Sequence, residues 1–371
     1  MTGVGFEPPV YPYERLAGAK ARAEAHDGGL VDLSIGTPCD APDPAVVAAL
    51  GASGAERGYP ASVGSAAYRE AAAGWMAREL GVAVPAAQVA ACVGTKEFVG
   101  TLPAWLRLRR PDRDTVLYPA VSYPTYEMGA TLAGLRAVPV PVDGEWRLDL
   151  VGVDPADVDR ALLLWVNTPG NPAGQLDDLA AAAEWGRRHG VPVFSDECYA
   201  EFTWDGPPRS VLAGGLDGVV AVHSLSKRSN LAGLRAGFYA GDGEFVHYLA
   251  EVRKHVGMLV PGPVQAAAVA AWADQDHVTA QRERYRERLA FFSGVLATLG
   301  CRVAFPAGGF YLWAEVPGGD AWAFTDRLAA DGGCLVSPGD LYGPAGAGRI
   351  RVALVQPLDR LHVVARRLLA R

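Results

Sequence analysis

Paired cysteines are missing from this chain of 371 residues. Its five cysteines, Cys39, Cys92, Cys198, Cys301 and Cys334, are widely scattered with no C-x-x-C spacing. That pattern excludes a cysteine-built metal centre or dithiol redox site and leaves isolated reduced thiols, so no metal is expected. Blocks of like charge are missing too. The net charge is -7, with basic and acidic residues interleaved, and nucleic acid is not an expected partner. No apolar stretch is long enough to cross a bilayer. The opening "MTGVGFEPPVYPYERL" has no basic region followed by an apolar run, so a soluble, cytoplasmic protein without a membrane partner is expected. Internal repeats and low-complexity linkers are absent, although glycine and proline are frequent.

What is present is a chain half hydrophobic by residue type, long enough for a large core and for two domains. Short apolar runs alternate with Ala-rich amphipathic segments, the pattern of parallel strands and crossover helices, which gives an α/β class. The strand-like runs are "VAACVG", "DTVLYP", "RAVPVPV", "RALLLWVN", "VPVFSDE" and "GVVAVHS", with helical segments such as "LDDLAAAAEWGRRHG" between them. A long charged helix, "HVTAQRERYRERLAFFSGVLATL", then leads to "GGFYLWAEV", "WAFTDRLAADG" and "RIRVALV", which predict a smaller α+β domain.

In open α/β sheets ligands sit beyond the carboxyl ends of the strands, and four polar clusters fall there. "VGTKE" places Gly94, Thr95 and Lys96 between a strand and a helix, a turn suited to phosphate or an ordinary capped turn. "NTPGNPAG" offers Asn167 and Asn171 on a Pro/Gly-punctuated loop. "FSDECYAEF" ends an apolar strand on Asp196, with Tyr199 three residues on, and a carboxylate there needs a cationic partner. "HSLSKRSNLAGLRAGF" gathers Ser224, Ser226, Lys227 and Arg235 within twelve residues.

In this order the four clusters resemble the pyridoxal-phosphate-dependent aminotransferases of the aspartate aminotransferase fold, over nearly the whole chain. The S-x-S-K-x7-R spacing is the most specific part. The resemblance implies fold type I, a large domain with a mostly parallel seven-stranded sheet and a smaller α+β domain. The expected division is 1–45 as a segment joining the small domain, 46–280 as the cofactor-binding domain and 281–371 as the small domain. It also implies a pyridoxal 5'-phosphate cofactor anchored through its aldehyde on Lys227, which then serves as the base moving a proton between substrate Cα and cofactor C4′. Asp196 would pair with the pyridinium nitrogen, and Tyr199 and Asn171 would hydrogen-bond the ring hydroxylate. Ser224, Ser226 and Arg235, with Gly94, Thr95 and Lys96, would form the phosphate cup. Tyr123, in "YPAVSYPTYEMG", falls where the family stacks an aromatic ring on the cofactor, the alternative being a core tyrosine. Tyr59, in "GYPASVGSAAYRE", matches a tyrosine that reaches the phosphate of a neighbouring subunit, which implies a homodimer with a shared site.

For the substrate carboxylate the family uses an arginine of the last strand. Arg349 and Arg351 both lie in "RIRVALV" on one face, and the pattern favours Arg351; Gly36 and Asn171 would complete this subsite. Two departures stand out. The usual N-P-T-G reads Asn171-Pro172-Ala173-Gly174, without the threonine hydroxyl, and the usual L-R after Gly64 reads Tyr68-Arg69. Among family members the chain is most similar to actinobacterial succinyldiaminopimelate aminotransferases, whose substrates are small amino and 2-oxo acids. This similarity implies extra cations for remote carboxylates, with Arg228 and Lys96 as the available residues. Acetylornithine, aspartate and aromatic substrates, a C-S lyase activity, and a regulator's aminotransferase-like domain are the alternatives.

Overall fold

The computed structural model describes residues 5–370. Its centre is a seven-stranded sheet with the spatial order Val89–Cys92, Gly237–Gly241, Val219–Ser224, Val193–Asp196, Ala161–Asn167, Thr115–Pro119 and Arg136–Val140. Five of these strands pair in parallel. Gly237–Gly241 runs antiparallel to both of its neighbours. The six apolar runs of the sequence are six of the strands. The seventh, "GFYAG", carries two glycines and follows the polar lysine cluster, so its strand character is muted at the level of residue type.

Both faces of this sheet are buried, as continuous apolar strands require. One face packs against Pro44–Ala52, Ala66–Trp75 and Gly262–Ala273, and the other against Thr95–Arg109, Thr125–Leu132 and Gly243–His255. Tyr68, at the position where leucine is usual, is fully buried and donates its hydroxyl to Gly237 O at 2.7 Å. The core thus absorbs the ring, and the phenol ties a helix to the strand following the lysine cluster.

A second, three-stranded antiparallel sheet is built from Ser337–Pro338, Arg349–Ala353 and Tyr311–Glu315. It shares an apolar core with helices Asp276–Thr298, Ala321–Gly332 and Leu358–Leu369. Val31–Asp32 pairs with Cys334–Leu335, which carries the early chain onto this smaller body and brings Gly36 toward the large sheet. Among the described residues no helix is long and apolar enough to cross a membrane.

Candidate active site

Strand register decides which side chains meet. Asn167 lies opposite Asp196, which lies opposite Val222, so these parallel strands end level with one another. Just beyond Val222 the chain turns into the short helix Leu225–Arg228, which carries Ser226 and Lys227. The edge strand Val89–Cys92 leads through Gly94, at φ 75°, into helix Thr95–Arg109. These ends enclose a cavity of about 430 Å³. Its walls hold Gly36, Thr95, Lys96, Tyr123, Asn171, Asp196, Tyr199, Ser224, Ser226, Lys227, Arg235 and Arg351.

Lys227 is half-buried, and its Nζ donates to Gly36 O. Burial pushes its amine down to about 8, so a neutral, nucleophilic form is within reach near neutral pH. Asp196 is buried, and burial pushes its carboxyl up. Its oxygens accept from the Tyr126 hydroxyl at 3.0 Å and from Cys198 N at 3.2 Å, a phenol and an amide rather than a cation. Asn167 Nδ2 donates to Asp196 O at 2.9 Å, while Asn167 Oδ1 accepts from Asn171 N at 2.8 Å. The Tyr199 hydroxyl shares a 2.8 Å hydrogen bond with that of Tyr311.

Arg351 is fully buried at 1 % exposure. It donates from Nη1 to Asn171 Oδ1 at 2.8 Å and from Nη2 to Ser34 O, and its Nε has no partner. Rings of Tyr311, Tyr342 and Tyr13 lie 4.4, 4.7 and 5.9 Å from the guanidinium carbon. A buried guanidinium held by an amide, a carbonyl and aromatic faces is a receptor for a carboxylate. Arg349, two residues away, pairs with Glu315 at 3.2 Å, lies over Trp146, and lines a different cavity. A Cβ on Gly36 would lie 2.0 Å from the Tyr311 hydroxyl, so only glycine lets the backbone come this close to the carboxylate subsite.

Arg235 takes the left-handed backbone conformation, φ 55°, and donates from Nη1 to Ala232 O at 2.9 Å. Its guanidinium lies against Gly94, where a Cβ would come within 2.3 Å of Nη2. Strained backbone of this kind persists where the surroundings over-determine it. The Ser224 hydroxyl accepts from Ser226 N at 3.0 Å. Hydroxyls, a guanidinium and the start of a fifteen-residue helix line the same cavity, a set of donors suited to phosphate.

Two residues lie apart from this grouping and a third stands at its edge. Tyr59 is 99 % exposed and away from the cavity of its own chain. Lys96 stands at the mouth, 3.0 Å from the Tyr11 hydroxyl. Arg228 is a correction: it does not face the cavity but is buried in an ion pair with Glu201 at 3.0 Å, between the rings of Trp75 and Trp272. Its charge is satisfied internally and is not free for a remote carboxylate. Sequence reasoning missed Tyr126, Cys198, Tyr311, Tyr342, Tyr11 and Tyr13. The period-two alternation of "GGFYLWAEV" could have found Tyr311, which shares a sheet face with Arg351.

Residues 29–368 match the family of class I and II aminotransferases. The chain belongs to this family. It is 44 % identical over 99 % of its length to the probable aminotransferase Rv1178 of Mycobacterium tuberculosis, covering 86 % of that protein. It is 42 % identical over 98 % of its length to 4-dedimethylamino-4-oxo-anhydrotetracycline transaminase OxyQ of Streptomyces rimosus, covering 99 % of that protein. Among solved structures, the probable N-succinyldiaminopimelate aminotransferase of Thermus thermophilus is 31 % identical and superposes with TM-score 0.86, over 96 % of this chain and 98 % of that one. The chain is therefore an aminotransferase of fold type I acting on small amino and oxo acids, and its cofactor is pyridoxal 5'-phosphate.

The aminotransferase's residues fit that cofactor. A buried Asp196 without a cationic hydrogen-bond partner matches a protonated ring nitrogen, and Arg235 over Gly94 matches a phosphate. Lys227 lines the cavity, and its amine can take the aldehyde.

Proposed function

We propose that the enzyme transfers the amino group of N-succinyl-LL-2,6-diaminopimelate to 2-oxoglutarate, yielding N-succinyl-2-amino-6-oxopimelate and glutamate, a step of lysine and diaminopimelate biosynthesis in the cytoplasm. The observation that carries this reading is the buried, acid-free guanidinium of Arg351 in the same cavity as the Lys227 amine. One subsite holds an α-carboxylate, and the other handles the proton of the adjacent carbon. The length of the substrate is supported by a second space of about 1220 Å³ that shares Tyr11, Lys96 and Arg235 with the walls of the first. Lys96 at this junction is the cation assigned to a remote carboxylate.

When bound, pyridoxal 5'-phosphate supplies an aldehyde that takes the amino group and a ring that accepts electron density from substrate Cα. Lys227 would hold the cofactor through its aldehyde and, once freed, its Nζ would take and return the proton of substrate Cα. Asp196 would hold the charge on the ring nitrogen, its own desolvation offset by that pairing. Tyr199 and Asn171 would hydrogen-bond the ring oxygen, Tyr123 would pack on the ring, and Thr95, Ser224, Ser226 and Arg235, with the backbone amide of Lys96, would hold the phosphate around Gly94. Gly36, Asn171 and Arg351 orient the carboxylate so that the Cα proton faces Lys227. The exposed Tyr59 is assigned to the cavity of a second copy in a homodimer.

The test is a single-turnover absorbance experiment with cofactor-loaded enzyme mixed with N-succinyl-LL-diaminopimelate, unmodified LL-diaminopimelate, acetylornithine or aspartate. Fast, complete conversion to the amine form of the cofactor with the succinylated substrate alone is expected. Conversion only by the others would overturn the substrate reading. Product beyond one equivalent per site without a 2-oxo acid would mark a lyase instead.

A further inference from the structure

Arg253 is 1 % exposed, as deeply buried as Arg351, yet it faces neither the active-site cavity nor its neighbours. Both of its terminal nitrogens are spent on Glu97, Nη1 to Oε1 at 2.6 Å and Nη2 to Oε2 at 2.8 Å. Such a fork is weak support for stability, because desolvating the guanidinium, and in part the carboxylate, consumes much of what their attraction gains. Its placement suggests another use. Glu97 is the third residue of helix Thr95–Arg109, and its Oε2 reaches back to accept from Val93 N at 3.2 Å. It therefore fastens the strand-to-helix turn, as an acidic residue at this helical position does in a capping box. The next carbonyl along the same turn, Val93 O, accepts from Arg235 Nη2 at 3.4 Å, and Gly94 carries the Arg235 guanidinium against its Cα.

One chain of contacts thus runs from Arg253 through Glu97 and the Val93–Thr95 turn to Arg235 and the first amides of the helix. Arg253 also offsets a carboxylate that would otherwise lie unpaired behind a phosphate dianion. We propose that the Glu97–Arg253 pair is a positioning element for the cofactor phosphate, setting the turn and its charge so that the loss of the pair is felt at the phosphate and not at the ring. This rests on the assignment of the phosphate to Thr95, Ser224, Ser226 and Arg235. Both act as positioning residues toward the phosphate: Arg253 lines none of these cavities, and Glu97 borders the space of about 1220 Å³.

The experiment measures equilibrium binding of pyridoxal 5'-phosphate and of pyridoxal, which lacks the phosphate, to full-length protein freed of cofactor. The variants are Arg253→Met, Arg253→Lys and the double variant Glu97→Gln/Arg253→Met. Methionine can fill the space beside Phe98 and Tyr239, whose rings lie 5.7 and 5.8 Å from the guanidinium. Arg253→Met should weaken pyridoxal 5'-phosphate about tenfold or more, the scale of one lost charge-assisted contact, and leave pyridoxal within about twofold. The lysine variant should fall between, and the double variant should recover part of the loss because the unpaired carboxylate is gone. If the single variant does not fold, the charge-free double variant and the lysine variant still carry the comparison. An equal loss for both ligands, or none for either, overturns the proposal. Failure of the underlying assignment is separate: wild-type protein would then bind both ligands equally.

Discussion

Replacing Arg351 by alanine tests the carboxylate subsite with a magnitude that follows from its surroundings. The guanidinium is already desolvated and held by Asn171 and Ser34, so a substrate carboxylate meets a receptor that needs no reorganisation. Two charge-assisted hydrogen bonds at about 1.5–3 kcal/mol each come to about 3–6 kcal/mol, or roughly 10²- to 10⁴-fold in kcat/KM. Because amino donor and oxo-acid acceptor both carry this carboxylate, both half-reactions should fall together. Arg351→Lys keeps the charge but loses the fork and should recover only about one to two of those decades. Arg349→Ala, which removes a partner of Glu315 outside the cavity, should stay within about threefold of wild type, as a partly exposed pair predicts. Stopped-flow rates of each half-reaction against concentration supply these values. A loss below about fivefold for Arg351→Ala, or a larger loss for Arg349→Ala, would refute the reasoning.

Lys227→Ala should abolish turnover while leaving the fold intact, and cofactor should then be lost on dialysis, read by absorbance; retained activity would sink the assignment. With its amine pushed down to about 8 by burial, capture of free cofactor by wild type should accelerate with pH and level off above about 8. Asp177, buried and accepting from Leu148 N at 2.8 Å, has its carboxyl pushed up to about 6 by that burial. Between about pH 4 and 6 the native protein keeps a proton that the unfolded chain releases, so stability from this group is full at low pH and falls as pH rises. Asp177→Asn should therefore stabilise by roughly 1–3 kcal/mol at pH 7.5 and by little at pH 4, measured by denaturant unfolding. Tyr68→Phe, which strips a buried donor from Gly237 O, should cost about 1–2 kcal/mol in the same assay.

The polar residues at strand ends were legible because an apolar strand gives a charged terminus nothing to pair with, and Asp196 shows this most clearly. That Arg351 rather than Arg349 lines the cavity with Lys227 was legible only through a family pattern. Period two puts both on one face, and what separates them is the neighbour across the strand: Trp313 opposite Arg351 and Glu315 opposite Arg349. The strand Gly237–Gly241 was hidden because its pairing comes from position between two other strands rather than from its own residues. Arg228 reads as a free cation until Glu201, Trp75 and Trp272 are brought around it from distant parts of the chain. Tyr11 and Tyr13 carry no periodic signal at all. Their place beside Lys96 and Arg351 depends on where the early chain crosses the finished site.

The chain has four lysines, Lys20, Lys96, Lys227 and Lys254, which makes one measurement unusually direct. Borohydride reduction of cofactor-loaded enzyme fixes pyridoxal 5'-phosphate to whichever lysine holds it, and peptide mass mapping locates the label. The account predicts one label per chain, on the peptide containing Lys227. A label on Lys96 or another lysine, or none under conditions where the cofactor is bound, would contradict it.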